Sequence, residues 1–223
     1  MCRACAALLD PPPFVCWPSP PPPGLVTPWA AATYDGLARD LILGLKERAL
    51  LPLADPLAVL LATALRAAIG PGRETPWLLV PVPSRRVTVR ARGHDATRAV
   101  TSGAAGLLRR EGYAVTVAPL LHLRPGVVDQ SGLDADARQR NLAGSMTCPA
   151  SGLRRLAHRQ GRARVLVCDD VVTTGSTVRE AQRALQEVGL VVRAVAAVAA
   201  TVRRAPGWPR DPGYPAYGPV SWS

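Results

Sequence analysis

The sequence predicts an α/β fold in which a mostly parallel sheet is flanked by helices and preceded by a helical N-terminal extension. Three observations carry this expectation. Apolar runs of strand length alternate with segments of helical periodicity from Trp77 to Ala200. One run, Val165 to Cys168, leads into two adjacent carboxylates and a glycine-bearing turn, the layout of a strand end facing a ligand in an open parallel sheet. A hydrophobic share of 48% over 223 residues is ample for one sizeable core. It excludes a wholly disordered chain and a small domain that needs disulfides to fold.

Taken in order, the elements begin with a segment unlike the rest. Residues 1–29 are rich in cysteine and proline, and Pro11–Pro13 and Pro20–Pro23 favour extended, solvated chain. Residues 30–70 read as a helical region. Leu37, Leu41, Ile42 and Leu45 form one stripe; Leu57, Leu60, Leu61 and Leu65 form another, beyond Pro52 and Pro56. Pro71 to Pro76 is a linker or turn, and Trp77–Val82 reads as a buried strand.

A domain over residues 75–205 follows, with helices over Ala96–Arg109 and Gly175–Val188. Its further strands are Tyr113–Ala118, Val165–Cys168 and Leu190–Ala200. The polar stretch between Leu123 and Arg162 lacks periodicity, and loops of that length in compact domains are often functional. Residues 206–223, rich in proline and glycine, are expected to be a poorly ordered tail.

The net charge is +11, and Lys46 alone among the 27 basic side chains is a lysine. A GC-rich codon bias accounts for much of this arginine; an anionic partner, a phosphorylated metabolite or nucleic acid, would also suit forked guanidinium donors. The most apolar stretch in this reading, Leu190–Val202, is broken by Arg193 and too short for a helical span, so no membrane span is expected. Five cysteines, an odd number, with no basic-then-apolar leader point to a cytoplasmic protein with reduced thiols.

Chemistry concentrates in Val165–Thr177. Asp169 and Asp170 would both be charged at an ordinary carboxylate pKa, and their repulsion would be relieved by sugar hydroxyls or a metal ion. The hydroxyls of Thr173, Thr174, Ser176 and Thr177 surround Gly175 at a helix N-terminus, where unpaired N–H groups and the helix dipole favour an anion. Gly175 would let backbone amides approach a phosphate without an intervening side chain. A bare strand–turn–helix with capping residues is the alternative, and it leaves the coincidence of acids, hydroxyls and glycine unaccounted for.

This run resembles the phosphoribosyl-diphosphate (PRPP) signature of type I phosphoribosyltransferases. Ala32–Gly36 with Arg39, Leu41, Ile42, Leu45 and Lys46 is similar to the helical region of the ComF family. So are Val80–Pro83 with Arg90, Arg92 and Gly93, and Gln130–Leu133 with Arg138 and Asn141. The matches run from about residue 30 to residue 201. The resemblance implies a type I phosphoribosyltransferase-like fold with a flap around Gln130, Arg138 and Asn141. It further implies Mg²⁺ as the cofactor carried with PRPP, and a nitrogen base as acceptor.

On that resemblance Asp169 and Asp170 hold the ribose hydroxyls and are the catalytic candidates. Val172, Thr173, Thr174, Gly175, Ser176 and Thr177 bind the 5-phosphate. The Pro83–Arg86 loop approaches the diphosphate with Arg85 and Arg86 as charge partners, and Arg90 and Arg92 are further candidates; a solvated surface role is the alternative for each arginine. The family is named for a component of natural DNA uptake. The competing reading is therefore a non-catalytic accessory protein that binds PRPP or single-stranded DNA, or a PRPP-sensing regulator. Against strand binding stands the shortage of stacking aromatics: outside the two ends there are only Tyr34, Trp77 and Tyr113. A homodimer stays open.

The chain departs from the family at two places. Zinc-ribbon members open with two Cys-x-x-Cys pairs, whereas here Cys2–Cys5 is intact and the second pair reads Cys16-Trp-Pro-Ser19. Cys2, Cys5 and Cys16 are weak zinc candidates that lack a fourth ligand, so zinc is not expected. His94-Asp95 stands where an aromatic and an amide are common; a surface or capping role for His94 is expected over an acid–base one.

Overall fold

The computed structural model describes residues 12–71, 74–84, 89, 93–124, 144–150 and 164–202. Among the described residues eight strands and four α-helices follow one another. They are β1 (Phe14–Val15), β2 (Pro28–Thr33), α1 (Gly36–Arg48), α2 (Ala54–Ile69), β3 (Trp77–Pro81), α3 (Ala96–Arg110), β4 (Val115–Val117), β5 (His122–Leu123), β6 (Met146–Thr147), β7 (Arg164–Val172), α4 (Ser176–Gln186) and β8 (Val192–Ala200). Six strands form one sheet in the order β1-β2-β8-β7-β3-β4, parallel throughout except for the β1–β2 pair, while β5 and β6 form a separate antiparallel ribbon. The protein is thus α/β, with a mostly parallel sheet flanked by helices.

Period-two alternation sorts side chains onto the two faces. Trp77, Leu79, Leu166 and Cys168 enter a core with α1, α2 and α3; Leu78, Val80, Val165 and Val167 enter another with α4 and the chain around Leu120 and Leu121. Burial on both faces explains why these strands read as continuous apolar runs. Strand β7 continues past Cys168 to Val172, because β8 goes on pairing with it through Asp169↔Ala197 and Val172↔Ala200. The carboxylates therefore lie inside the last turn of pleat, held by the ladder.

Strand β2 was not foreseen. It crosses the expected boundary between residues 29 and 30 and docks in parallel on β8, with Ala30 and Ala31 fully buried. Its sequence, Pro-Trp-Ala-Ala-Ala-Thr, has neither β-branched enrichment nor alternation, so pairing with β8 rather than propensity decides its state. Residues 12–33 and the helices α1 and α2 thus share cores with the strands assigned to residues 75–205. The expected solvation of Pro20–Pro23 holds at three positions, but Pro22 is buried, as is Pro18.

The expectation that Leu190–Val202 is the most apolar stretch also changes. Among the described residues, Leu51–Ile69 is long and apolar enough to cross a membrane by length and composition. In the fold Leu57, Leu60, Leu61 and Leu65 of this segment are buried in the core beside the sheet.

Candidate functional site

The C-terminal ends of β7 and β3, the start of α4 and the last turn of α1 enclose a cavity of about 410 Å³. Tyr34, Lys46, Ser84, Asp169, Asp170 and Thr177 line it, so it sits where open parallel sheets bind ligands. Each acid is oriented by its neighbour's backbone. Asp169 Oδ1 accepts from the amide of Asp170 at 2.8 Å, and Asp170 Oδ1 accepts from that of Val171 at 2.9 Å. Lys46 Nζ forms an ion pair with Asp170 Oδ2. Burial pushes the Asp169 carboxyl up to about 7, against the opposing pull of the Lys46 charge.

Beyond β7 the chain turns sharply. Gly175 adopts φ +73°, the Thr174 and Ser176 hydroxyls lie 3.0 Å apart, and the Arg179 amide donates to the Gly175 carbonyl at 2.9 Å to start α4. Thr173 and Thr177 reach the cavity, whereas Val172 packs into the core. The fold gives a further reason for glycine at 175, on the side of the N-terminal segment. A Cβ there would stand 2.8 Å from Pro18 Cγ, 3.2 Å from Pro22 Cγ and 3.3 Å from Leu25 Cδ2. The N-terminal segment braces the back of the turn and leaves no space for a side chain. It is also tied to α4, since Arg179 Nε donates to the Pro23 carbonyl at 2.9 Å and Gln182 Nε2 to the Gly24 carbonyl at 2.9 Å.

The loop after β3 contributes Val82, Pro83 and Ser84 to the cavity. Ser84 Oγ donates to Asp95 Oδ1 at 3.1 Å, and the same oxygen accepts from the Arg98 amide at 3.2 Å, capping α3. The His94-Asp95 departure therefore contains an N-cap that anchors this loop. Arg85, Arg86, Arg90 and Arg92 lie outside the described residues, as do Gln130, Arg138, Asn141, Cys2 and Cys5.

No protein-family model and no curated protein matches the chain. What the site can do therefore rests on its own geometry.

Cys16, proposed as a weak zinc ligand, is buried in the second core with its thiol pushed up to about 12 by desolvation. A protonated, enclosed thiol is a packing group. Among the described residues no cluster of three or more His, Cys, Asp or Glu side chains could hold a metal ion. Mg²⁺ fits differently: it keeps several waters and takes one or two carboxylates plus the oxygens of a phosphorylated ligand. Asp169, buried beside the cavity with one oxygen fixed by an amide, suits that role; Asp170 already has a cation.

Sequence reasoning named Tyr34 and Lys46 only as part of the resemblance and Ser84 only within the Pro83–Arg86 loop, and it missed Thr97 as a cavity residue. For Lys46 a signal was present: a lone lysine in a chain whose other basic side chains are all arginine. The ribbon β5–β6 brackets residues 125–143 and is tied to α4. Buried Glu180 accepts from the Met146 amide at 2.9 Å, and Arg183 donates to both Glu180 oxygens and to the Met146 carbonyl at 3.0 Å. Burial opposes ionisation of Glu180, but the Arg183 hydrogen bonds and the backbone amides outweigh it, so its carboxyl lies below the ordinary range.

Proposed function

We propose that the protein binds Mg²⁺–PRPP and transfers the phosphoribosyl group to a nitrogen base, in a type I phosphoribosyltransferase-like arrangement related to the ComF family. The observation that carries this reading is the pair of carboxylates, each fixed by one oxygen to a backbone amide, beside a hydroxyl-rich turn at the N-terminus of α4. A ribose 5-phosphate asks for those two features side by side: acceptors for a vicinal diol and donors for a phosphate.

In the reaction the bond between ribose C1 and the diphosphate oxygen breaks, and a bond from the acceptor nitrogen to C1 forms. Positive charge develops on the ring as the diphosphate departs. Asp169 and Asp170 hold the hydroxyls and place negative charge next to that ring, which favours the transition state over the ground state. Thr173, Thr174, Ser176 and Thr177 hold the 5-phosphate, and Ser84, anchored through Asp95, faces the diphosphate. Bound Mg²⁺ supplies neutralisation of the leaving diphosphate. Catalysis is then mostly positioning and electrostatics, with no side-chain nucleophile.

The test is diphosphate release from PRPP in the presence of Mg²⁺ and a panel of purine, pyrimidine and pyridine bases. Release that depends on one base, with a new nucleoside monophosphate in the products, supports the reading. Absence of release with every base, together with no thermal stabilisation by millimolar PRPP, sinks it.

A further inference from the structure

The ion pair between Lys46 and Asp170 joins a helix of the N-terminal region to the acid pair across the cavity. The lysine side chain is 29% exposed and the aspartate side chain 12%, so the pair is shielded from bulk water on most sides. Its place is set by packing. Ala38, Leu41, Ile42 and Leu45 bury the inner face of α1, and Gly44 lies so close to the following turn that a Cβ would meet Leu53 Cδ1 at 2.5 Å. Gly44 thus lets the turn at Leu53 close on the end of α1, and Lys46 lies on the cavity wall.

The bland account of Lys46 is a cation at a helix C-terminus, where the dipole favours it. Arg48 already sits in the same turn, and Lys46 Nζ contacts the carboxylate of another element. The residue type also matters. Everywhere else this chain uses arginine, and here it uses a compact point charge on an unbranched stem. A forked guanidinium in the same place would fill part of the cavity that a sugar needs.

We propose that Lys46 is a built-in counter-cation of the acid pair, so that the ribose-phosphate end of the site binds its ligand without a divalent metal. This rests on the ribose-phosphate reading given above and deepens it. Two adjacent carboxylates next to a phosphate dianion repel it; the ammonium removes one of those charges at the cost of no bound ion. Asp170 Oδ1 stays on the Val171 amide and Oδ2 on Lys46, so the carboxylate keeps its orientation, and a carboxylate oxygen that accepts one hydrogen bond can accept a second from a ribose hydroxyl. The divalent cation is then needed only where the diphosphate is, through Asp169 and ligand oxygens. Lys46 is a positioning residue: it acts on the ligand through Asp170.

The experiment uses ribose 5-phosphate, which lacks the diphosphate, as the probe. Its binding to the full chain is measured by calorimetry in EDTA and in Mg²⁺, for the wild type, Lys46→Met and Lys46→Gln. Wild type is expected to bind equally well in both buffers. Both variants are expected to bind at least about tenfold more weakly in EDTA, the loss typical of a hydrogen bond to a charged group, and to recover part of that loss in Mg²⁺. A wild type that needs Mg²⁺ for ribose 5-phosphate overturns the proposal by itself, whether or not the variants fold. Folded variants that match wild type in EDTA overturn it too. Mg²⁺–PRPP is run alongside: its binding with metal-dependent ribose 5-phosphate binding removes the Lys46 role alone, while no binding of either ligand removes the site reading and this inference with it.

Discussion

Gly175→Ala separates the brace behind the turn from the turn itself. The substitution adds one methyl group at φ +73°, and two costs follow. An L-residue in the left-handed region is disfavoured by about 1–2 kcal/mol. The new Cβ would also stand 2.8 Å from Pro18 Cγ, with Pro22 and Leu25 close behind, so rigid rings must shift. Overpacking of that kind costs about 1–3 kcal/mol, giving a total of about 2–5 kcal/mol. The other end of α4 offers a control. Gly189 has φ +81° with nothing within 4 Å of its Cβ position, so Gly189→Ala carries the conformational cost alone.

Urea unfolding of both variants at matched slope reads the difference directly. Gly175→Ala should lose about 1–3 kcal/mol more than Gly189→Ala. In a Pro18→Ala background that excess should shrink, because the closest contact is gone and the two sites are coupled. Equal losses for the two glycine variants would refute the argument that residues 16–25 pack against the turn.

Other outcomes follow from the charges. Arg183→Met removes the charged partner of buried Glu180 and leaves it the Met146 amide; with Arg183 34% exposed, the cost is discounted from that of a fully buried pair to about 2–3 kcal/mol, read by urea unfolding. Because the Glu180 carboxyl is held low in the folded chain, its stabilisation exists above the unfolded carboxylate range and is lost as pH falls. The variant should therefore show a weaker acid-induced loss, and an unchanged acid limb would contradict the pairing. Asp169 has the opposite sign: raised to about 7, it keeps its proton between about pH 4 and 7 where the unfolded chain has released it. Its contribution to stability thus declines as pH rises through that window, and Asp169→Asn should flatten the decline in urea midpoints between pH 5 and 8. In the proposed site ligand hydroxyls would donate to the ionised form, so affinity for Mg²⁺–PRPP should weaken as pH falls below 7, measured by calorimetry. A pH-independent affinity would remove Asp169 from the ribose site.

The elements legible in the sequence are those whose own residues carry the pattern. Trp77–Val82 and Val165–Cys168 are apolar because both faces of their sheet are covered, and Ala96–Arg109 has the stripe that packs on α2. The alanine-rich β2 has no such pattern; its strand state comes from Ala30 and Ala31 meeting β8. The acid pair and its turn were legible because two acids, four hydroxyl residues and a glycine fall in one short run. Lys46 stood out only as the lone lysine; its place in the site was not legible, since its partner lies more than a hundred residues away and only the fold joins them. The brace behind Gly175 was not legible, because its neighbours are Pro18, Pro22 and Leu25 of the N-terminal segment and no local spacing reveals a contact of that range.

The proposed PRPP site consists of the Asp169–Asp170 pair and the turn that follows it. Calorimetric titration of Mg²⁺–PRPP into the full chain and into Asp170→Asn tests it most directly, because the substitution keeps size and shape while removing a charge beside the ribose hydroxyls. The wild type should bind, and the variant should bind at least about tenfold more weakly while unfolding at a similar urea midpoint. Equal affinity in the two proteins, or no heat from the wild type at millimolar ligand, would contradict the assignment.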